Sequence, residues 1–180
     1  MEETNTKIIA TIGPATLDFE IFQKLIDEGI DYIRINTAYG DEAQYQTILD
    51  NLAKANKHKT VKPIFDLKNE EIIPFALKNN VFMYALSFAE NKEQIAKYRA
   101  LLPESFLISK IESKSGVKNF DEILQASDGI MIARGDLGVA ETLEKVPPMQ
   151  KDFTNKAKVK DKFLITATEM LLSMVDNPEP

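Results

Sequence analysis

Short apolar, β-branched runs alternate along this chain with stretches whose apolar residues recur at helical spacing. The runs predict strands over 7–12, 31–36, 61–67, 83–87, 106–111, 129–133 and 163–166. Between them the 3.6-residue period predicts helices over 19–28, 42–56, 70–79, 92–101, 119–126 and 146–158, with a seventh over 169–175. Turn signals such as Glu28-Gly29 and Asn79-Asn80 close several of these helices. Strict strand–helix alternation implies parallel strands joined by right-handed crossovers. No long Pro/Gly/Ser linker or low-complexity tract interrupts it, so the pattern reads as one domain over residues 1–180.

About seven β/α units fit, whereas a closed barrel of this kind has eight units and typically ~250 residues. The expected fold is therefore α/β, a partial TIM-type (β/α) barrel, with an open doubly wound sheet as the alternative. Seven units leave the outer edges of the first and last strands unpaired, and such edges are covered, frayed or paired with another chain. The tail Asn177-Pro178-Glu179-Pro180 is a poor start for another helix. The pattern thus predicts either a barrel fragment or a homo-oligomer.

Composition narrows the class. Apolar residues make up 44% and charged residues 28%, the balance of an ordinary globular protein. With no cysteine there is no disulfide frame, thiolate metal site or cysteine nucleophile. The start, Met1 to Gly13, is acidic and polar before its first apolar run, unlike a signal peptide. No apolar stretch approaches the ~20 residues that cross a bilayer. These features predict a cytoplasmic protein without a membrane partner. The formal net charge of -6 and the lack of an arginine-rich face argue against nucleic acid. The densest basic stretch, Lys54 to Lys62, reads as a solvated loop and contains His58, the only histidine, so multi-histidine metal sites are excluded.

Polar residues gather where the predicted strands end: Arg34 and Asn36, Asp66 and Lys68, Lys110 and Glu112, Arg134 to Asp136, and Thr168. In parallel α/β proteins that end of the sheet carries the chemistry. Lys110 and Glu112, two apart on an extended segment, point to one side. Ile130, Ile132, Arg134 and Asp136 share a side if the sixth strand stays extended that far. Two carboxylates, waters and a substrate oxygen suit Mg²⁺, which rarely fills its octahedron from protein alone. A lysine beside such a site can stabilise negative charge or move a proton. The competing reading is a buried Lys–Glu or Arg–Asp network that only orders the rim. The glycine turn at Ala133-Arg134-Gly135-Asp136-Leu137-Gly138 could open a helix whose free N–H groups hold an anion.

Ser109-Lys110-Ile111-Glu112, Ala126-Ser127-Asp128-Gly129 and the segment from Met131 through Arg134-Gly135-Asp136-Leu137-Gly138 resemble the pyruvate kinase barrel. So do Thr6-Lys7-Ile8-Ile9-Ala10-Thr11-Ile12-Gly13-Pro14-Ala15, Arg34-Ile35-Asn36 with Gly40, Ala85-Leu86-Ser87-Phe88, and the tail from Ile165-Thr166-Ala167-Thr168-Glu169-Met170-Leu171 to Asn177-Pro178. The match runs in order over nearly the whole chain. The resemblance implies a glycolytic phosphotransferase fold acting on phosphoenolpyruvate, pyruvate and ADP/ATP. It implies that Lys110 stabilises the enolate oxygen, that Glu112 and Asp136 hold Mg²⁺ or Mn²⁺, and that the Gly135 and Asp136 amides grip the substrate carboxylate. Thr168 would lie near the methylene carbon that is protonated, and Arg34 would face the transferring phosphoryl group. Asn36 and Asp66 would stand beside a monovalent cation, K⁺.

The departures are on the nucleotide side. Ile73 replaces a family arginine, and no β-rich lid domain follows Lys68-Asn69-Glu70-Glu71. Ala38 stands for a K⁺-binding serine, Tyr39 for a nucleotide-contacting histidine and Glu169 for a glutamine. The last barrel strand and the C-terminal domain of the family have no counterpart in the 180 residues. The expectation is Mg²⁺-dependent enolate chemistry with weak or no phosphoryl transfer to ADP. The alternative is a non-catalytic binding or assembly module, a pseudoenzyme or a barrel fragment.

Overall fold

The structure, a computed structural model, describes residues 6–55, 60–168 and 170–179. His58 and Glu169 lie outside the described residues. Among the described residues seven strands alternate with helices in the α/β, partial (β/α)-barrel manner that the pattern implies. The chain divides into two compact units, one up to Tyr84 and one from Ala85 on.

In the first unit β1 (Ile9–Thr11), β2 (Tyr32–Asn36) and β3 (Lys62–Leu67) pair in parallel and in chain order, with Thr11 level with Arg34 and Asn36 level with Asp66. Along β2, Ile33 and Ile35 are buried while Tyr32, Arg34 and Asn36 on the opposite face are half-buried, the period of two of a strand. Helix α1 (Phe19–Asp27) is capped by Asp18, whose carboxylate accepts from the Glu20 and Ile21 amides, and buries Phe22 and Ile26. Helix α2 (Glu42–Ala55) puts Tyr45 against Phe65 of β3 and Phe75 of α3 (Ile73–Lys78), ring centroids 6.1 and 6.3 Å away. Strand β4 (Met83–Leu86) begins in this unit, where Tyr84 is fully buried and donates its hydroxyl to the Val81 carbonyl at 2.9 Å.

In the second unit β5 (Phe106–Ile111), β6 (Gly129–Ala133) and β7 (Phe163–Ala167) form the parallel ladder, with Lys110 level with Met131 and Ala133 level with Ala167. Gly129 is required at its place, since a Cβ there would stand 2.9 Å from the Phe163 carbonyl oxygen. Helix α4 (Lys92–Leu101) is capped by Asn91, and the short α5 (Lys114–Lys118) by Ser113. Helices α6 (Phe120–Ala126) and α8 (Val146–Val159) meet through stacked Phe120 and Phe153, centroids 4.0 Å apart. No described helix is long and apolar enough to cross a membrane.

One condition is not met and one expectation is corrected. The sixth strand stops at Ala133 and Arg134 opens helix α7 (Arg134–Ala140), so Arg134 and Asp136 do not continue the strand's alternation. The expected helix over 169–175 is reduced to one 3₁₀ turn at Leu172–Val175. Its cause is local: Thr168 (φ 62°) and Leu171 (φ 49°) are left-handed, and a right-handed helix cannot run through such residues.

Candidate active site

The first unit contributes a polar rim at the ends of β1, β2 and β3. Arg34 donates Nε and Nη2 to Asp66 Oδ2 at 2.8 and 2.7 Å, and Nη1 to Thr11 Oγ1 at 3.1 Å. Asp66 is only 1% exposed, so the guanidinium supplies the countercharge that a buried carboxylate needs. Asn36 turns its side-chain oxygen back to accept from the Ala38 amide at 3.1 Å. Thr37 bridges the strand ends, donating its hydroxyl to the Asp66 carbonyl and accepting from the Lys68 amide. A cavity of about 240 Å³ lies beside this rim, among Thr11, Pro14, Asn36, Tyr39 and Gln44. Only five residues, 68–72, join β3 to α3, so nothing of a lid's size is inserted there.

The second unit contributes a tighter group. Lys110, the penultimate residue of β5, and Glu112, just past its end, are 7% and 3% exposed, and their charged atoms are 2.9 Å apart. The Lys110 ammonium also donates to Ser87 Oγ at 3.2 Å. The other Glu112 oxygen accepts from the Phe88 amide at 2.8 Å, and Phe88 reaches it through a left-handed backbone, φ 49°. Burial pushes the Glu112 carboxyl above the usual carboxylate range, Lys110 and the Phe88 amide pull it down, and the nearby Asp136 carboxylate adds to the upward push. Glu112 and Asp136 are the only pair of carboxylates this group offers a cation, and among the described residues no cluster of three or more His, Cys, Asp or Glu side chains stands close enough to hold a metal. At the start of α7, the Gly135 amide donates to Thr168 Oγ1 at 2.9 Å.

The residues singled out in the sequence thus fall into two groups. Arg34, Asn36 and Asp66 gather in the first unit, and Lys110, Glu112, Gly135, Asp136 and Thr168 belong to the second. Ser87 and Phe88 were passed over as site residues. They directly follow β4, and the strand-end rule that picked out Lys110 and Glu112 would have found them.

The chain matches the family described as "Pyruvate kinase, barrel domain" over residues 3–72 and 61–180. It is 36% identical to a pyruvate kinase of Thermococcus litoralis over 91% of this chain, and 36% identical to one of Dictyostelium discoideum over 87%.

The chain belongs to the pyruvate kinase family.

A pyruvate kinase of Methanocaldococcus jannaschii is 42% identical over 66% of the chain. These alignments span 38%, 33% and 27% of the three relatives, so the chain corresponds to about a third of their length. The matched part holds both polar groups of this barrel-type domain.

Proposed function

We propose that the second unit is a divalent-cation and oxoacid site, and that the protein carries out Mg²⁺- or Mn²⁺-dependent proton chemistry on pyruvate and phosphoenolpyruvate-like acids, with weak or no phosphoryl transfer to ADP. The observation that supports this best is the buried Lys110–Glu112 pair, held by Ser87 and Phe88, with Asp136 near enough to raise the Glu112 pKa further. Glu112 and Asp136 would hold the cation, which when bound polarises the oxoacid's oxygens and favours loss of a methyl proton. Lys110 offers a desolvated positive charge to the developing enolate oxygen, where a fixed charge is worth several kcal/mol. The Gly135 and Asp136 amides would receive the carboxylate. For that, the Gly135 N–H passes from the Thr168 hydroxyl to the acid, which leaves the hydroxyl beside the methyl carbon as the proton's relay.

Phosphoryl transfer demands positioning and cationic groups around the moving phosphate. Arg34 would be that cation, but both of its contacts to Asp66 tie it to the rim, and Tyr39 and Ile73 offer no charge. A monovalent cation at Asn36 and Asp66 would have to share the Asp66 carboxylate with the guanidinium.

Calorimetric titration with oxalate, an enolate mimic, tests the site. Mg²⁺ should bind weakly alone and at least tenfold more tightly with oxalate, because the ligand supplies missing oxygens. Glu112→Gln and Asp136→Asn should each abolish that synergy. Equal synergy in parent and variants would refute the assignment. Tight binding without exchange of pyruvate methyl protons for deuterium would favour the non-catalytic binding module instead.

A further inference from the structure

Arg134 is the one charged residue of the Arg134-Gly135-Asp136 turn to which neither the family resemblance nor the proposed chemistry gives a task. Among the described residues its guanidinium meets main chain rather than a carboxylate. Nε donates to the Thr168 carbonyl at 3.1 Å and more loosely to the Ala167 carbonyl at 3.4 Å, and Nη2 donates to the Thr168 carbonyl as well. A full positive charge is thus held by the last carbonyl of β7 and the one that follows it. The residue it grips is a threonine at φ 62°, a conformation that β-branched side chains rarely adopt. Strain of that kind persists only where surrounding contacts over-determine it. Here there are two such contacts: the Arg134 fork on the carbonyl, and the Gly135 amide on the hydroxyl.

We propose that Arg134 is a positioning residue that locks the Thr168 main chain in its left-handed conformation and thereby aims the Thr168 hydroxyl at Gly135. Because the guanidinium holds the carbonyl and not the side chain, the hydroxyl can change partners while the residue stays in place. That is what a proton relay requires when an acid claims the Gly135 amide. A lysine cannot replace the fork, since its ammonium is a point donor without the planar pair of N–H groups. This inference rests on the proposed role of Thr168, but the lock itself is visible without any ligand.

The experiment uses the full chain with Arg134→Met, Arg134→Lys, Thr168→Ser, Thr168→Val and the double variant Arg134→Met/Thr168→Val. In the ligand-free protein, amide hydrogen exchange by NMR should show Gly135 protected. The Arg134→Met and Thr168→Val variants should exchange there about 5–10-fold faster, the factor expected for one lost hydrogen bond. Thr168→Ser should keep the protection, and amides of β6 such as Ile132 should be unchanged, showing that the fold is intact. Binding of Mg²⁺ with oxalate should stay within about threefold of the parent in Arg134→Met, because Lys110, Glu112 and Asp136 are untouched. Deuterium uptake into the pyruvate methyl group should fall ~100-fold, the cost of an ångström's misplacement, with Arg134→Lys between. The double variant should be no slower than Thr168→Val alone, because Arg134 acts through Thr168. Full Gly135 protection in Arg134→Met overturns the lock, and additive losses in the double variant overturn its action through Thr168. Loss of protection in Arg134→Met, in a parent that binds oxalate but exchanges no methyl protons, supports the lock and refutes the proton chemistry alone.

Discussion

Lys110 and Glu112 stand two residues apart and neutralise each other where water scarcely reaches. Removing one charge from such a pair leaves the other buried and unpaired, which costs more than the pair contributed. Lys110→Met should therefore lower unfolding free energy in urea by ~3 kcal/mol. Lys110→Met/Glu112→Gln should recover much of that loss while remaining inactive in methyl exchange, which separates the structural role of the lysine from its chemical one. Tyr84 gives a pH prediction. Burial pushes its hydroxyl up from 10.0 to about 12. A raised folded pKa means that its contribution is complete below pH 10 and is lost as pH climbs through 12. Relative to Tyr84→Phe, the parent should lose ~1.4 kcal/mol between pH 9 and pH 11, read from paired urea unfolding curves. The sequence showed Lys110 and Glu112 as neighbours on one side, because a period of two is a property of any extended segment. It could not show Phe88 aiming its amide at Glu112 or Thr168 reaching Gly135. Both depend on a positive φ at a non-glycine residue, which no residue type announces.

At the scale of elements, those long enough to show a period were legible in the residues. Strands β5 and β6 and helix α4 have the bounds that the apolar pattern marks. The failures are short or locally interrupted. Helix α5 has five residues, including a glycine, too few for a helical face to repeat. Helix α7 was legible only as a glycine turn that could open a helix, because Gly135 and Gly138 dilute its pattern; Leu137 is its buried anchor. The tail helix failed for the opposite reason, its apolar spacing being overruled by the left-handed Leu171. Gly129 shows how one residue sets the spacing of elements: β6 starts there and runs against β7 at Phe163. Gly129→Ala should push these strands apart and cost about 1–3 kcal/mol, the usual penalty for overfilling a packed site. The urea midpoint should fall, and the backbone amides of β7 should lose hydrogen-exchange protection before those of β5. A midpoint equal to the parent's would mean that the Phe163 carbonyl yields without cost.

For the molecule as a whole, the unsatisfied features are edges and apolar surface. Among the described residues, β1 in the first unit pairs with β2 alone and β7 in the second pairs with β6 alone. Just beyond β7, Met170, Leu171, Leu172 and Val175 are 58–76% exposed. An open strand edge and a cluster of exposed apolar side chains each recruit partners, and together they make a lone copy of the 180-residue chain an improbable end state. The expected species is a homodimer or larger homo-oligomer, with a light-scattering mass at least twice 20.3 kDa. Leu172→Glu/Val175→Glu should shift that mass toward the monomer while leaving the far-ultraviolet spectrum unchanged. Salt separates the two forces at work. With a formal net charge of -6, identical copies repel, and added salt screens that repulsion while leaving apolar burial intact. Assembly should therefore tighten between 50 mM and 500 mM NaCl, on the order of a few-fold in dissociation constant. Weakening over that range would mean that ion pairs hold the copies together and that the apolar tail is not the contact. A stable monomer at high protein concentration would mean that the edges of β1 and β7 are protected within a single chain.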